Sequence, residues 1–313
     1  MNINILQGDC IETLQKLDDK SINTCITSPP YWGLRNYNDE EKQLGMEDTP
    51  EEFVDNLVKV FREVKRILRD DGTVWLNLGD SYSSGGRTTT TNQSLRGDKD
   101  YGVTRPKPSK GIKPKDLIGI PWRVALALQQ DGWYLRQDII WHKPNPMPES
   151  VKDRCTKAHE YIFLLSKNPK YYFDNEAIKE DSKYHGKDKR SDKGNIRYEG
   201  KRTSNKDTKA QQSFVTINPK KNKRSVWTVT TKPFKGAHFA TFPMDLIEPC
   251  VLAGCPEGGT VLDPFGGSGT TGIVAVNHNR HAVLCELNQE YIDLAKKRIE
   301  EQAGFLATIN ITK

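Results

Sequence analysis

The sequence predicts an α/β fold with a mostly parallel sheet covered by helices on both faces. Three observations lead there. Short apolar runs rich in β-branched residues alternate with stretches of helical periodicity. At 260–272, TVLDPFGGSGTTG, a strand passes through a glycine-rich turn into a helix. Two polar segments, 83–115 and 167–235, lack apolar periodicity and so stand outside the core as insertions. A chain of 313 residues is long enough for one large domain carrying such inserts.

Taken in order, 3–6 (INIL) is a short strand, 11–17 a helix and 22–27 (INTCIT) a second strand. Thr49-Pro50-Glu51-Glu52 opens a long helix, with Thr as N-cap, Pro at the first helical position and Glu at the third. Phe53, Leu57, Val60, Phe61, Val64, Ile67 and Leu68 follow at helical spacing. Asp70-Asp71-Gly72 is expected to stop that helix before a strand at Thr73–Leu78. Segment 83–115, rich in Gly, Thr, Ser, Lys and Pro, reads as a mobile basic loop. A helix at 116–130, a strand at 137–142, a proline-rich turn and an apolar strand at Tyr161–Leu165 come next. Beyond the second insert stand a helix at Pro243–Ala253, strands at Thr260–Leu262 and Ala282–Leu284, and a helix at Asn288–Gln302.

The charge is unevenly spread. Residues 167–235 hold 19 Lys and Arg against 8 Asp and Glu, a surplus of 11, whereas the remainder carries −5. A basic insert on a slightly acidic body points to a polyanionic partner. Its interleaved rings, Tyr171, Tyr172, Phe173, Tyr184, Tyr198, Phe214 and Trp227, suit stacking on bases or wedging between them. The six cysteines form no C-x-x-C pair and several sit in apolar runs, which suits a reducing compartment and argues against a structural zinc. No apolar run approaches the ~20 residues of a membrane span. The start, MNINILQGDC, has no basic region followed by an apolar core, so a cytoplasmic protein without metal is expected.

In the glycine-rich turn, residues without Cβ let backbone pass close to a ligand. Glu286 lies 23 positions after Asp263 at the end of the next strand, where a carboxylate can accept hydrogen bonds from two ribose hydroxyls. The turn has no Gly-Lys-Ser/Thr and is not G-x-G-x-x-G, so a nucleoside whose tail is not a polyphosphate fits better. S-adenosylmethionine is such a ligand. The other distinctive string, TSPPYW at 27–32, ends a strand with a hydroxyl, two prolines and two aromatic rings.

Together, TSPPYW and DPFGGSGTTG resemble the amino-methyltransferases of DNA, in the class whose catalytic motif precedes the cofactor motif. QGDC at 7–10, GTVWLNLGDS at 72–81, IPWRVALAL at 120–128, WHKPNPMPES at 141–150 and GAHFATFPMDLIEPC at 236–250 are similar to the same family. The resemblance implies a Rossmann-like S-adenosylmethionine-dependent fold in circularly permuted order. Residues 1–166 and 236–313 would form the catalytic domain, and 167–235 a target-recognition insert for double-stranded DNA. Ser28 Oγ and the Pro29 carbonyl would accept the two N–H bonds of a flipped base's amine. Pro30 would hold that corner rigid, and Tyr31 would stack on the base. Trp32 either adds to that packing or belongs to the core. Asp9 and Cys10 would lie at the cofactor's adenosine. Phe265, Gly267, Ser268, Gly269 and Thr270 would wrap its methionine end, Asp263 would belong to the same cofactor site, and Glu286 would hold the ribose. His238 and Phe242 would close on the cofactor tail, unless His238 is a structural histidine. Arg197, Arg202, Arg224, Asn195, Asn205 and Gln211 are available to read base edges. In the family, serine at position 28 goes more often with cytosine N4 than with adenine N6, which stays the alternative. Pro249-Cys250 lacks the context of a cytosine C5 nucleophile and reads as packed helix. A cognate restriction endonuclease, a homodimer and a bacterial or phage origin are compatible with the resemblance.

Overall fold

The structure, a computed structural model, describes residues 1–33, 43–83, 112–182, 219–231 and 242–312. Two units separate: Met1–Asp174 with Ser225–Lys313, and Asn175–Arg224. The first is built on strands β1 (Asn2–Gln7), β2 (Ile22–Thr27), β3 (Leu68–Leu78), β4 (Tyr134–His142) and β5 (His159–Ser166). In the second unit, β6 (Glu180–Asp181) pairs antiparallel with β7 (Lys220–Lys221). The first unit resumes with β8 (Val226–Thr228), β9 (Thr260–Asp263), β10 (His281–Glu286) and β11 (Thr308–Thr312). Its sheet runs β11-β1-β10-β9-β2-β3-β5-β4-β8. All neighbours are parallel except β5, which opposes both β3 and β4.

Among the described residues six α-helices flank this sheet: α1 (Cys10–Leu14), α2 (Pro50–Ile67), α3 (Ile120–Gln130), α4 (Met244–Gly254), α5 (Thr270–Asn277) and α6 (Gln289–Ala303). Successive strand residues face opposite sides. Val283 and Cys285 join the core cluster that α1, α2 and α3 cover, while Leu284 between them meets Gly272 of α5. The sheet is therefore covered on both faces. In α2 the Thr49 hydroxyl accepts from Glu52 N at 3.2 Å and Pro50 starts the helix. Phe53, Leu57, Val60, Phe61, Val64 and Ile67 are all buried, each stabilising by about 1.5–3 kcal/mol relative to an exposed position.

Long-range pairing changes several boundaries. Helix α2 ends at Ile67, and Leu68 is already extended. Ile22 pairs with Leu68 and Thr24 with Thr73, so Asp70-Asp71-Gly72 is an excursion inside β3 rather than a stop before it. Helix α3 starts at Ile120, not 116, because Gly119 at φ 77° sets its first turn. Strand β11 was not expected from sequence; it adds to the edge of β1. The insert bounds drawn at 167–235 enclose the narrower unit Asn175–Arg224. Tyr172 N donates to Asp71 O at 2.9 Å, and Phe173 stacks 6.1 Å from Trp75, both within the first unit. Trp227 is corrected from a base-contacting ring to a core residue: it is 6% exposed in β8 and lies 6.4 Å from the Trp75 ring. The basic loop at 83–115 lies mostly outside the described residues. Its ends are bridged, Ser83 N to Asp116 O at 2.8 Å and Lys115 N to Ser83 O at 3.1 Å.

Candidate active site

Strands β2 and β9 come from opposite ends of the chain yet lie side by side, with Thr24 beside Val261 and Cys25 beside Leu262. From β2 the chain moves on to β3; from β9 it moves the other way, to β10. Open α/β sheets bind ligands at such a reversal, outside the carboxyl ends of the strands. TSPPYW leaves the carboxyl end of β2, and DPFGGSGTTG leaves that of β9. The hydroxyl of Thr27 donates to Asp263 Oδ1 at 2.6 Å, fastening the two motifs at their roots.

Asp263 is 2% exposed and bonds to protein on both oxygens. Besides Thr27, Thr271 Oγ1 donates to Oδ2 at 2.7 Å and Phe265 N to Oδ1 at 3.1 Å. Burial pushes this carboxyl up to about 6, against the pull of its three donors. These three donors tie the start of the loop to β2 and α5.

Above it the glycines do separate jobs. Gly266 N donates to Cys285 O at 2.8 Å, and a Cβ there would come within 2.9 Å of Leu284 Cβ. Gly269, at φ 77°, caps α5 and leaves a Cβ only 3.0 Å from that of Ala295. Gly267 N donates to Glu286 Oε2 at 2.8 Å, and Asn288 N donates to Oε1 at 2.9 Å. Both Glu286 oxygens are thus held by backbone N–H groups, and a carboxylate has further lone pairs to offer ligand hydroxyls. Burial raises its pKa. Ser268 and Thr270 are tied down by Arg298 of α6. Its Nη1 lies 2.5 Å from the Ser268 carbonyl and hydroxyl oxygens and 3.2 Å from Thr270 Oγ1. Sequence reading missed Arg298. Its one signal is a position three residues after Ala295 on the inner side of α6.

QGDC joins the site because Gly8 N donates to Glu286 O at 3.0 Å. Asp9 Oδ1 caps α1, accepting from Ile11 N at 2.9 Å and Glu12 N at 3.1 Å. Cys10 is buried, which raises its thiol pKa. Gln7 pairs in register with Glu286, and its buried Oε1 accepts nothing from the described residues. An unmet acceptor next to a ribose-type carboxylate fits a ligand bearing N–H as well as O–H donors, as S-adenosylmethionine does. Phe242 is half-buried just before Pro243, the N-cap of α4. His238 lies outside the described residues, as do Asn195, Arg197, Arg202, Asn205 and Gln211. In the second unit Arg224 Nε donates to Glu180 Oε2 at 3.0 Å.

Just past the carboxyl end of β2 Ser28 is half-buried, and its hydroxyl has no protein partner among the described residues. Pro29 is buried and Pro30 half-buried. Trp32 belongs to the core: it is buried and its Nε1 donates to Glu47 O at 2.9 Å. Tyr31 is half-buried, and its hydroxyl donates to Glu160 Oε2 at 2.8 Å. Cys250 is fully buried in α4 with its thiol toward Leu246 O, as expected of a packed residue. The described residues contain no group of His, Cys, Asp and Glu that could hold a metal, and no helix long and apolar enough to cross a membrane.

A buried carboxylate beside a glycine loop, at the point where the strand order reverses, is the arrangement of an α/β fold that binds a nucleoside-type ligand. Comparison with known proteins gives the family. The chain belongs to the N6/N4 DNA methylase family, whose model matches residues 22–297. It is 50% identical over 298 residues to the Type II methyltransferase M.SmaI of Serratia marcescens, covering 94% of this chain and 90% of that one. Identity to M.Cfr9I of Citrobacter freundii is 47% over 296 residues, covering 95% and 87%. Among solved structures, the PvuII DNA methyltransferase (cytosine-N4-specific) superposes with TM-score 0.63 at 19% identity, covering 99% of this chain and 95% of that one. A DNA modification methylase of Thermus thermophilus, complexed with S-adenosyl-L-methionine, gives the same TM-score at 23% identity, covering 99% and 98%.

Proposed function

We propose that this amino-methyltransferase transfers a methyl group to N4 of cytosine in duplex DNA, after the target base has been flipped out of the helix. The reading rests above all on the Thr27–Asp263 bond, which roots the serine corner and the glycine loop on adjacent strand ends. S-adenosylmethionine is the methyl donor, supplying an electrophilic methyl on a sulfonium that leaves as a neutral thioether. Glu286 and the glycine turn hold the donor's nucleoside, and the restrained Ser268 and Thr270 shape its far end.

A cytosine amine is a weak nucleophile because its lone pair is delocalised into the ring. Ser28 Oγ and the Pro29 carbonyl accept its two N–H bonds and so favour the pyramidal nitrogen that attack requires. Pro29 and Pro30 fix this backbone and bring no N–H that would compete. Tyr31 stacks on the extruded ring. The nitrogen becomes cationic as its bond to the methyl carbon forms and the carbon–sulfur bond breaks, and it loses its proton to solvent afterwards, so no strong base is needed at position 28. Catalysis is therefore positioning and electrostatics, with no covalent enzyme intermediate. Serine at position 28 supports cytosine. The PvuII enzyme, which shares this chain's fold, is cytosine-N4-specific. The basic segment 167–235 contacts the DNA backbone and reads the target sequence. Relatives called Type II methyltransferases suggest a partner restriction endonuclease and a cytoplasmic setting.

The test is incubation with labelled S-adenosylmethionine and unmodified genomic DNA, followed by nucleoside analysis. N4-methylcytosine is expected. Label found only in N6-methyladenine would overturn the base assignment, and label in RNA or protein but not DNA would overturn the substrate class.

A further inference from the structure

We infer that Glu160 is a positioning residue for the target base: together with Lys143 and Asn77 it locks the stacking ring of Tyr31 in place. The inference rests on the reading of Tyr31 as the base-stacking ring. The Tyr31 hydroxyl donates to Glu160 Oε2 at 2.8 Å and lies 3.4 Å from Asn77 Oδ1. The other carboxylate oxygen, Oε1, is ion-paired with Lys143 Nζ. Side chains of Glu160 and Lys143 are only 15% and 18% exposed, so the pair is poorly screened by water. Lys143 is held in turn by the Trp141 ring, 4.2 Å from its centroid. Asn77 Nδ2 donates to Tyr161 O at 3.0 Å and lies 3.4 Å from Glu160 Oε2. At the ring's edge, a Cβ on Gly79 would come within 2.5 Å of Tyr31 Cε2, so the glycine admits the ring and leaves it no slack.

The sheet explains why these residues meet. Strand β5 runs antiparallel between β3 and β4, which sets Asn77 opposite Ile162 and Trp141 opposite Glu160. The reversed strand thus delivers a carboxylate to the end of the sheet where β2 releases Tyr31. The arrangement does more than fix an angle. A phenol donating to a carboxylate carries extra electron density into its ring. Such a ring stabilises a base that gains positive charge as its amine is methylated. Tyrosine rather than phenylalanine at position 31 then has a chemical reason.

A double-mutant cycle tests this with the full-length protein, labelled S-adenosylmethionine and unmodified genomic DNA. Tyr31→Phe and Glu160→Ala are each expected to lower single-turnover kcat by about 10-fold, the loss of one charge-assisted hydrogen bond. Affinity for S-adenosylmethionine, measured by calorimetry, should stay within about 2-fold. The double variant should be no slower than the worse single, because both remove the same bond. Glu160→Gln keeps an acceptor for the phenol and should recover most of the rate. It also serves should Glu160→Ala fail to fold. Multiplicative losses in the double variant, or a Gln variant as slow as Ala, would overturn the inference, as would a loss of donor binding in step with kcat. Tyr31→Ala separates the two levels. If it retains full turnover, the stacking reading itself is wrong. If it is inactive while Tyr31→Phe and Glu160→Ala match wild type, only the positioning role falls.

Discussion

Thr27→Val is the substitution that best probes how the two motifs are joined. Valine keeps the volume and the strand preference of threonine and removes only the hydroxyl that donates to Asp263 Oδ1 at 2.6 Å. Its effect depends on the charge of Asp263. That carboxyl titrates at about 6 in the folded protein, raised chiefly by burial, with Thr27 the strongest of the opposing donors. Because the folded pKa lies above the unfolded one, the native state keeps a proton between about pH 4 and 6 that the unfolded chain has released. Stability therefore falls as pH rises through that window and is level above it. Removing the Thr27 donor raises the native pKa further and extends the fall upward. At pH 8 the lost bond is to a buried carboxylate, and the substitution should cost about 2 kcal/mol. At pH 5 the carboxyl is protonated, the bond is between neutral groups, and the cost should be nearer 1 kcal/mol. Thermal melts at the two pH values, repeated in an Asp263→Asn background, read the difference directly. At pH 8 a drop of roughly 4 °C is expected, smaller at pH 5 and smaller again where the amide replaces the acid. Equal drops at both pH values, or a full drop in the amide background, would refute the argument that a charged buried bond joins the motifs.

Other predictions concern the two sides of the crevice and the insert. Ser28→Ala should leave S-adenosylmethionine binding unchanged by calorimetry and lower kcat by about 10²-fold or more, the scale of losing one preorganised polar contact to the reacting group. Gly269→Ala forces a side chain into φ 77° and against Ala295, so it should cost about 1–3 kcal/mol in chemical denaturation and weaken donor binding. Arg298→Met keeps the stem but frees the Ser268 carbonyl and two hydroxyls; a donor dissociation constant raised by about 10-fold is the expected outcome. If the basic insert grips phosphates, DNA affinity measured by fluorescence anisotropy should fall by about 10³-fold or more between about 50 and 200 mM salt. A flat salt response would remove the insert from the DNA-binding surface.

What the sequence revealed and what it hid divide along one physical line. Thr49-Pro50-Glu51-Glu52 announces α2 because a helix N-terminus is satisfied by its own first four residues. The glycine turn is equally readable, since the constraints at Gly266 and Gly269 lie in their own backbone and in an absent Cβ. Everything that depended on a distant partner was hidden. Asp70-Asp71-Gly72 looks like a helix stop, but pairing of Ile22 with Leu68 and Thr24 with Thr73 draws it into β3 as an excursion. Trp227 sits in a basic stretch and reads as a ring for bases, yet strand β4 recruits β8 and buries it beside Trp75. Glu160 carries no local mark and Arg298 only its place on the inner side of α6, because their partners lie 129 and 30 positions away. The same line passes through the site. Residue types within TSPPYW and DPFGGSGTTG state what chemistry each half can perform. That the halves leave adjacent strand ends follows from β2 pairing with β9 and from Thr27 reaching Asp263 across 236 positions. A permuted order of motifs leaves this placement intact for the same reason: where the two motifs lie is set by which strands are neighbours, and the chain can visit those strands in either sequence.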